Sequence, residues 1–222
     1  MSAAVDDGPK LNEGIYTFPE ASRIIRGASA RQLRSWMLSG LADATFEAYS
    51  GRAILAFEDV VSLEVIRRFK AAGVSIQRIR QFDAKLRVEF PDRNRPFAYQ
   101  GFFTDGAELW ITEFGEDHRG TQLTGKRRGH RVWQDAIATF AKEISFDQAT
   151  KRAEKWFLST WVEIDPDVQF GQPVVRNTRV PLAAVVANLR AGTPAQVADW
   201  LGLTTEEVKG ARDYDASSRL SA

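Results

Sequence analysis

The N-terminal third of the chain is divided by glycine residues into short helical segments, which restricts it to a compact helical fold. Ser29 is a favourable N-cap residue for the second of these segments. Within it Leu33, Trp36 and Met37 recur at spacings of three and four residues, the period of a helix with one apolar face. The pattern therefore predicts a helix over residues 30–38 that packs this face against a neighbouring helix.

The outward face of this helix carries side chains that suit the base edges of DNA. With the apolar face buried, the helix presents Arg31, Gln32, Arg34 and Ser35. Arginine pairs bidentately with guanine, and glutamine with adenine, in the major groove. A hairpin is predicted over residues 45–57, because a Ser-Gly-Arg turn separates apolar residues there, and Arg52 at its tip is placed to contact phosphate.

The distribution of charge also bears on DNA binding, although the net charge of +1 gives no argument by itself. Residues 16–87 hold twelve Lys and Arg against seven Asp and Glu, residues 88–159 hold eleven of each kind, and residues 160–222 hold six against eight. A polyanion is attracted to the positive N-terminal end. The equally simple alternative is a few exposed arginines on a small domain, with no functional meaning.

The same N-terminal segment resembles the opening of MerR-type regulators. The resemblance is carried by Tyr16-Thr17-Phe18, Glu20 to Arg23, Ser29 to Trp36, Phe57 to Val60 and, most characteristically, Phe69 to Ile79. It implies a winged helix-turn-helix that binds DNA as a dimer. MerR regulators usually continue into one long dimerisation helix, whereas Phe90-Pro91-Asp92 breaks such a helix here. The alternative is a MerR-like fold kept only for packing or protein contact.

The middle of the chain, residues 89–160, is predicted to be a small mixed α+β linker or dimerisation domain. Strands are expected at 109–112 and 121–123, and helices at 134–143 and 146–158. The basic run 126–131 is either a solvated loop or a secondary contact for phosphate or an acidic partner.

Aromatic residues and histidines in this region raise two further possibilities. The tryptophans Trp110, Trp133, Trp156 and Trp161 are either core or the lining of an effector pocket. His118 follows two acids, but a lone histidine in such a loop is a weak metal ligand, so no metal or cofactor is expected.

The C-terminal segment is predicted to be a second helix-turn-helix-like unit of three helices. Pro181 begins the first helix, and Thr193 and Thr204 cap the next two in capping boxes with Gln196 and Glu207. Val197, Trp200 and Leu201 are expected on the apolar side of the second helix. The third helix begins with Thr205, Glu206 and Glu207. DNA phosphates would repel the two glutamate carboxylates, so this unit is predicted to contact a protein.

A loop rich in glycine and proline precedes these helices and presents Arg176, Asn177, Thr178 and Arg179. The run from Ile164 to Tyr214 resembles a small helix-turn-helix family, long described as a domain of unknown function, that is associated with bacterial antitoxins. Asn177 stands where that family usually has glycine. Asparagine tolerates a left-handed backbone, so the turn is expected to survive.

The two resemblances together look like a VapB-type antitoxin of mycobacterial type. This implies a VapC-type PIN-domain ribonuclease as the partner, operator DNA as a second partner, and a homodimer. An arginine delivered into an acidic metal site would pair with its carboxylates and displace the ion, and Arg176 and Arg179 are the candidates for this role. The open alternative is that both arginines brace their own loop.

The fold class predicted from these features is mainly α with small β elements. A disordered leader (1–14) is followed by the winged helix-turn-helix (15–88), the mixed domain (89–160), the antitoxin-like helical domain (161–216) and a tail (217–222). The chain has no cysteine and no apolar run long enough for a membrane helix, which favours the cytoplasm.

Three functions follow as hypotheses. The first is an antitoxin and autoregulator, and the second is a stand-alone MerR-like regulator whose middle domain senses a small molecule. The third is a structural adaptor. No phosphate-binding glycine loop and no catalytic triad order is present, so an enzyme is not expected.

Overall fold

The computed structural model describes residues 14–41, 46–47, 53–89, 91, 95–104 and 137–220. These residues form mainly α-helices, with a two-stranded and a four-stranded antiparallel sheet, which confirms the predicted fold class. Several sequence predictions lie outside the described residues: the leader up to residue 13, Arg52, the strands at 109–112 and 121–123, the run 126–131, His118, Trp110 and Trp133. None of the described helices is long and apolar enough to cross a membrane.

The N-terminal part begins as the sequence predicts. Its elements are α1 (Phe18–Ile25), α2 (Ala30–Leu38), β1 (Phe46–Glu47), β2 (Ala53–Ile54), α3 (Phe57–Ala71) and α4 (Ile76–Glu89). Strands β1 and β2 pair antiparallel, with Phe46 opposite Ile54, as expected for the predicted hairpin. Helix α4 ends at Glu89, and Pro91 lies in a turn, so the predicted break after this helix is confirmed.

The segment that follows α4 packs back onto the N-terminal helices. It contains a short 3-10 turn (Pro96–Ala98), α5 (Gln100–Thr104) and a helical stretch at 137–141. The rings of Phe97 and Phe102 lie 5.2 Å apart edge to face, and both contact Phe69 of α3. One apolar core therefore includes the N-terminal helices and the described part of the middle segment.

A four-stranded antiparallel sheet connects the middle segment to the C-terminal one. Its strands, in spatial and chain order, are β3 (Ile144–Phe146), β4 (Ala153–Phe157), β5 (Val162–Ile164) and β6 (Val174–Val175). The predicted boundary at residue 160 falls between β4 and β5 of this one sheet. The domain boundaries given above stay a prediction.

The helix predicted over 146–158 is wrong, because these residues form the β3–β4 hairpin. The Asp147 carboxylate accepts hydrogen bonds from the backbone of the next turn, and Lys151 adopts a left-handed φ of 60°, which ends any helix there. A β-bulge places one extra residue in β4 and brings Ala153 and Trp156 to the buried side together. Their spacing of three residues imitates a helical period.

The C-terminal helices are α6 (Leu182–Asn188), α7 (Pro194–Leu201) and α8 (Thr205–Leu220). They enclose a second core around Val162, Val185, Val197 and Val208. Trp200, predicted on the apolar side, is instead 54% exposed, and its ring covers Gly192, where a Cβ would lie 2.6 Å from it.

Helix α8 continues past residue 216, where the helical domain was predicted to end, and reaches Leu220. The second half of this helix lies against the N-terminal unit, where Tyr214 contacts Arg26.

Candidate DNA and partner interfaces

Helix α2 presents a polar, cationic face supported by α1. Arg31, Gln32, Arg34 and Ser35 are all exposed. Leu33, Trp36 and Met37 are buried on the opposite side, as predicted from their spacing. The hydroxyl of Ser22 in α1 donates to the carbonyl of Ala28 at 2.7 Å, which fixes the turn between the two helices. The structure thus brings the four predicted residues together on one accessible surface.

Gln32 is less available for base contact than its exposure suggests. Its Oε1 accepts hydrogen bonds from the backbone N–H of Ser29 at 2.8 Å and from the Ser29 hydroxyl at 3.0 Å. A bidentate contact with adenine requires the same oxygen as an acceptor. Only the Nε2 amide can reach a base without breaking this capping box, so Arg31 and Arg34 are the stronger candidates for reading bases.

Both ends of α1 are held by the C-terminal part of the chain. Before the helix, the Tyr16 hydroxyl donates to the carbonyl of Gly171 at 2.8 Å in a buried contact. Burial and the negative charge of Asp165 raise the pKa of Tyr16 far above its ordinary value. After the helix, the Arg26 guanidinium lies 4.1 Å from the centre of the Tyr214 ring. The helix that supports α2 is therefore anchored to both the 169–171 turn and α8.

Neither the Tyr16–Gly171 hydrogen bond nor the Arg26–Tyr214 contact was predicted from the sequence. They join residues 155 and 188 positions apart, and neither Tyr16 nor Arg26 belongs to a local pattern that indicates such a partner. No periodic signal within a helix reports on contacts of this range.

The loop at 176–179 is an ordered turn. Asn177 adopts a left-handed φ of 60°, as predicted for an asparagine in place of glycine. Its backbone N–H donates at 3.0 Å to the carboxylate of Glu163, which is almost fully buried. The Thr178 hydroxyl donates to the carbonyl of Val175 at 2.8 Å and accepts from the backbone of Val180.

The two arginines of this loop have different surroundings. The Arg176 guanidinium lies 4.3 Å from the centre of the Phe157 ring, and its Nε is 3.9 Å from the Glu163 carboxylate. Arg179 is exposed, and among the described residues its guanidinium has no ion pair. Its carbonyl accepts a hydrogen bond from the Gln169 side chain at 3.1 Å. Arg176 thus braces the loop, whereas Arg179 presents an accessible cation.

A polar cleft of about 330 Å³ lies between α1, α3, β4 and α8. Its charged lining includes Arg26, Glu64, Arg67, Arg68 and Glu143. Most of these charges are paired, since Arg67 and Arg68 both contact Glu64 and Arg68 also contacts Glu143 at 2.9 Å.

One of the four tryptophans of the predicted effector pocket, Trp156, lies at this cleft. Trp156 lines it and donates at 3.4 Å to Glu143, whose pKa is raised chiefly by burial. Trp161 packs instead against Gly210 of α8, at a distance that leaves no room for a Cβ. The two described tryptophans of that prediction therefore have separate surroundings.

Comparison with known proteins matches both ends of the chain. Residues 16–86 match the family described as MerR HTH family regulatory protein, and residues 162–214 match a protein family of unknown function, DUF433. Over 179 residues the chain is 33% identical to a Mycobacterium tuberculosis protein named "Putative antitoxin VapB45". The matched region covers 74% of this chain and 73% of that protein.

A solved structure is similar over nearly the whole chain. It is the crystal structure of Rv2018 from Mycobacterium tuberculosis, with a TM-score of 0.72 and 26% sequence identity. The similarity covers 88% of this chain and 96% of Rv2018. The N-terminal unit, the sheet and the C-terminal helices thus recur together in another protein.

Proposed function

The chain belongs to the family of VapB45 of Mycobacterium tuberculosis, and from this premise we propose that it is the antitoxin of a type II toxin–antitoxin pair. It neutralises a VapC-type PIN-domain ribonuclease by direct binding and represses its own operon by binding DNA in the cytoplasm. The observation that carries the proposal is the similarity to an antitoxin over 74% of the chain, together with the exposed cationic face of α2.

The DNA-binding role is assigned to α2. Arg31 and Arg34 read base edges in the major groove, while α1 crosses the backbone and holds α2 in place. Arg52 adds a phosphate contact that is independent of sequence. The protein acts as a homodimer whose contacts come from the middle or C-terminal segment, because α4 ends at Glu89 and supplies no long dimerisation helix.

The partner-binding role is assigned to the loop at 176–179. A PIN-domain active site is a cluster of carboxylates that holds a metal ion, and a guanidinium forms strong paired hydrogen bonds with carboxylates. Arg179 is the residue that reaches the partner, since it is exposed and carries no ion pair with the described residues. Arg176, Asn177 and Thr178 give this loop its shape.

The test is to produce the full chain together with the protein of the adjacent reading frame, which we expect to be a PIN-domain ribonuclease. We expect the two proteins to purify together, ribonuclease activity to fall on binding, and the chain to shift DNA from its own operon. The Arg31→Ala, Arg34→Ala double variant should lose the DNA shift and keep the inhibition. A chain that shifts the DNA but leaves the ribonuclease unbound and active would contradict the antitoxin role.

A second candidate function is a MerR-like regulator that senses a small molecule. The observation in its favour is the cleft of about 330 Å³ beside α1, because occupation of this cleft would act directly on the helix that supports α2. A change in operator affinity on adding a small molecule, with no ribonuclease present, would favour this function over the antitoxin.

A further inference from the structure

The turn at residues 169–171 has an unusual backbone. Gln169, Phe170 and Gly171 adopt left-handed φ values of 50°, 57° and 78° in succession. Glycine tolerates this region, but a bulky aromatic residue rarely adopts it. Such conformations persist only where the surrounding structure fixes them, and they cluster at active sites, ligand clamps and switch regions.

Three hydrogen bonds fix this turn from outside. The backbone N–H of Ile15 donates to the carbonyl of Phe170 at 3.3 Å, and the Tyr16 hydroxyl donates to that of Gly171 at 2.8 Å. The side chain of Gln169 donates at 3.1 Å to the carbonyl of Arg179. The turn is thus held both to the N-terminal stretch and to the loop at 176–179, and its geometry does not depend on a partner.

The held turn leaves apolar side chains in solvent. Phe170 is 58% exposed, and Ile15, whose backbone lies beside it, is 40% exposed. Arg179 stands on the neighbouring loop with its guanidinium exposed and, within the ranges described above, free of any ion pair. Aromatic residues and arginine are the residue types enriched at protein interfaces.

We propose that Ile15, Phe170 and Arg179 form one docking surface for a protein partner that offers an apolar pocket bordered by carboxylates. The Phe170 ring enters the pocket, and Arg179 pairs with a carboxylate at its edge. The inference rests on the proposed function, because the acidic active-site rim of the ribonuclease supplies the carboxylates. The Phe170 ring adds an apolar anchor to the contact made by the loop at 176–179.

The chemistry of the surface favours this partner over DNA. A duplex presents phosphates to a surface of this kind, and two exposed apolar side chains gain nothing from phosphate contact. A guanidinium and an aromatic ring on two linked loops instead suit a partner in which a carboxylate and an apolar pocket are adjacent. The preformed turn also reduces the ordering that binding would require.

The test uses the full chain and the same PIN-domain ribonuclease, with binding measured by calorimetry. Phe170→Asn removes the ring and keeps a residue that tolerates the left-handed backbone, and Arg179→Ala removes the cation. Trp200→Ala and Arg190→Ala are the matched controls, because they remove an equally exposed aromatic ring and an exposed arginine from other positions. Operator affinity and the unfolding midpoint report whether each variant is folded.

We expect each surface variant to weaken ribonuclease binding at least tenfold and the double variant to lose inhibition, while both controls stay within twofold of wild type. A double variant that binds the ribonuclease like wild type would overturn the docking surface and leave the antitoxin role standing. If the double variant changes the oligomeric state of the chain in the absence of the ribonuclease, the surface is an interface with a second copy of the chain. That result would overturn the partner named here. If wild type fails to bind the ribonuclease, the proposed function and this partner are both wrong.

Discussion

The helix-turn-helix at α1–α2 and the one at α7–α8 have the same local construction and opposite surface charge. In both units the second helix begins with a capping box. The Gln32 side chain accepts from the Ser29 backbone at 2.8 Å, and the Glu207 side chain accepts from the Thr204 backbone at 2.7 Å. Local geometry therefore does not distinguish the two units.

The charge that follows the cap does distinguish them. The second residue of α2 is Arg31, whereas the second residue of α8 is Glu206, and both are exposed. An arginine at this end meets phosphates and base edges favourably, and a glutamate is repelled by them. We therefore propose that the two helix-turn-helix units bind different partners, and that the exposed residues of the first turn of the second helix decide which partner each unit binds.

The largest expected effect comes from giving α2 the charge of α8. Arg31→Glu removes a base contact worth about 1–3 kcal/mol and adds a repelled carboxylate, so operator affinity should fall more than tenfold in a titration followed by fluorescence anisotropy. The fold should be kept, since an acid suits the first turn of a helix.

The converse substitution is its control. Glu206→Arg should leave operator affinity unchanged, because we propose that α8 faces away from the DNA. A gain in operator affinity from Glu206→Arg that matched the loss from Arg31→Glu would show that the two units share the DNA.

A smaller effect is expected at the fifth residue of each helix. Arg34 in α2 and Lys209 in α8 are both exposed cations. Arg34→Ala should weaken operator binding by about 1–3 kcal/mol, as for one good base contact, and Lys209→Ala should leave it unchanged. Equal losses from the two variants, measured by gel shift at one fixed salt concentration, would remove the distinction between the units.

The smallest effects are expected from the caps. Ser29→Ala and Thr204→Ala each remove the hydroxyl of a capping box and should each lower the free energy of unfolding by about 0.5–2 kcal/mol in urea titrations. Only Ser29→Ala should also weaken operator binding, because it loosens the start of α2. If Thr204→Ala weakens operator binding as much as Ser29→Ala does, the proposal that only α2 binds the operator is wrong.

Features set by neighbouring residues could be predicted from the sequence. The caps at Ser29, Thr193 and Thr204 and the left-handed backbone of Asn177 are all confirmed. The buried and exposed faces of α2 are also confirmed, since an amphipathic helix records its orientation in its own spacing.

Features set by the pairing of strands or by distant residues could not. The bulge in β4 buries Ala153 and Trp156 three positions apart, and this spacing predicts a helix where the structure has a hairpin. The exposed Phe170 and the anchor between Arg26 and Tyr214 depend on parts of the chain far away in sequence. Such contacts leave no periodic trace in either partner.

The central claim, that α2 and not α8 lies against DNA, can be tested directly because the chain has no cysteine. Leu38→Cys and Asp213→Cys place a single thiol at the ninth residue of α2 and of α8, and both positions are exposed. An iron chelate attached to each thiol cleaves the DNA strands within its reach. We expect cleavage inside the operator from the label at position 38 and none above background from the label at position 213. Cleavage from position 213 with none from position 38 would contradict the central claim.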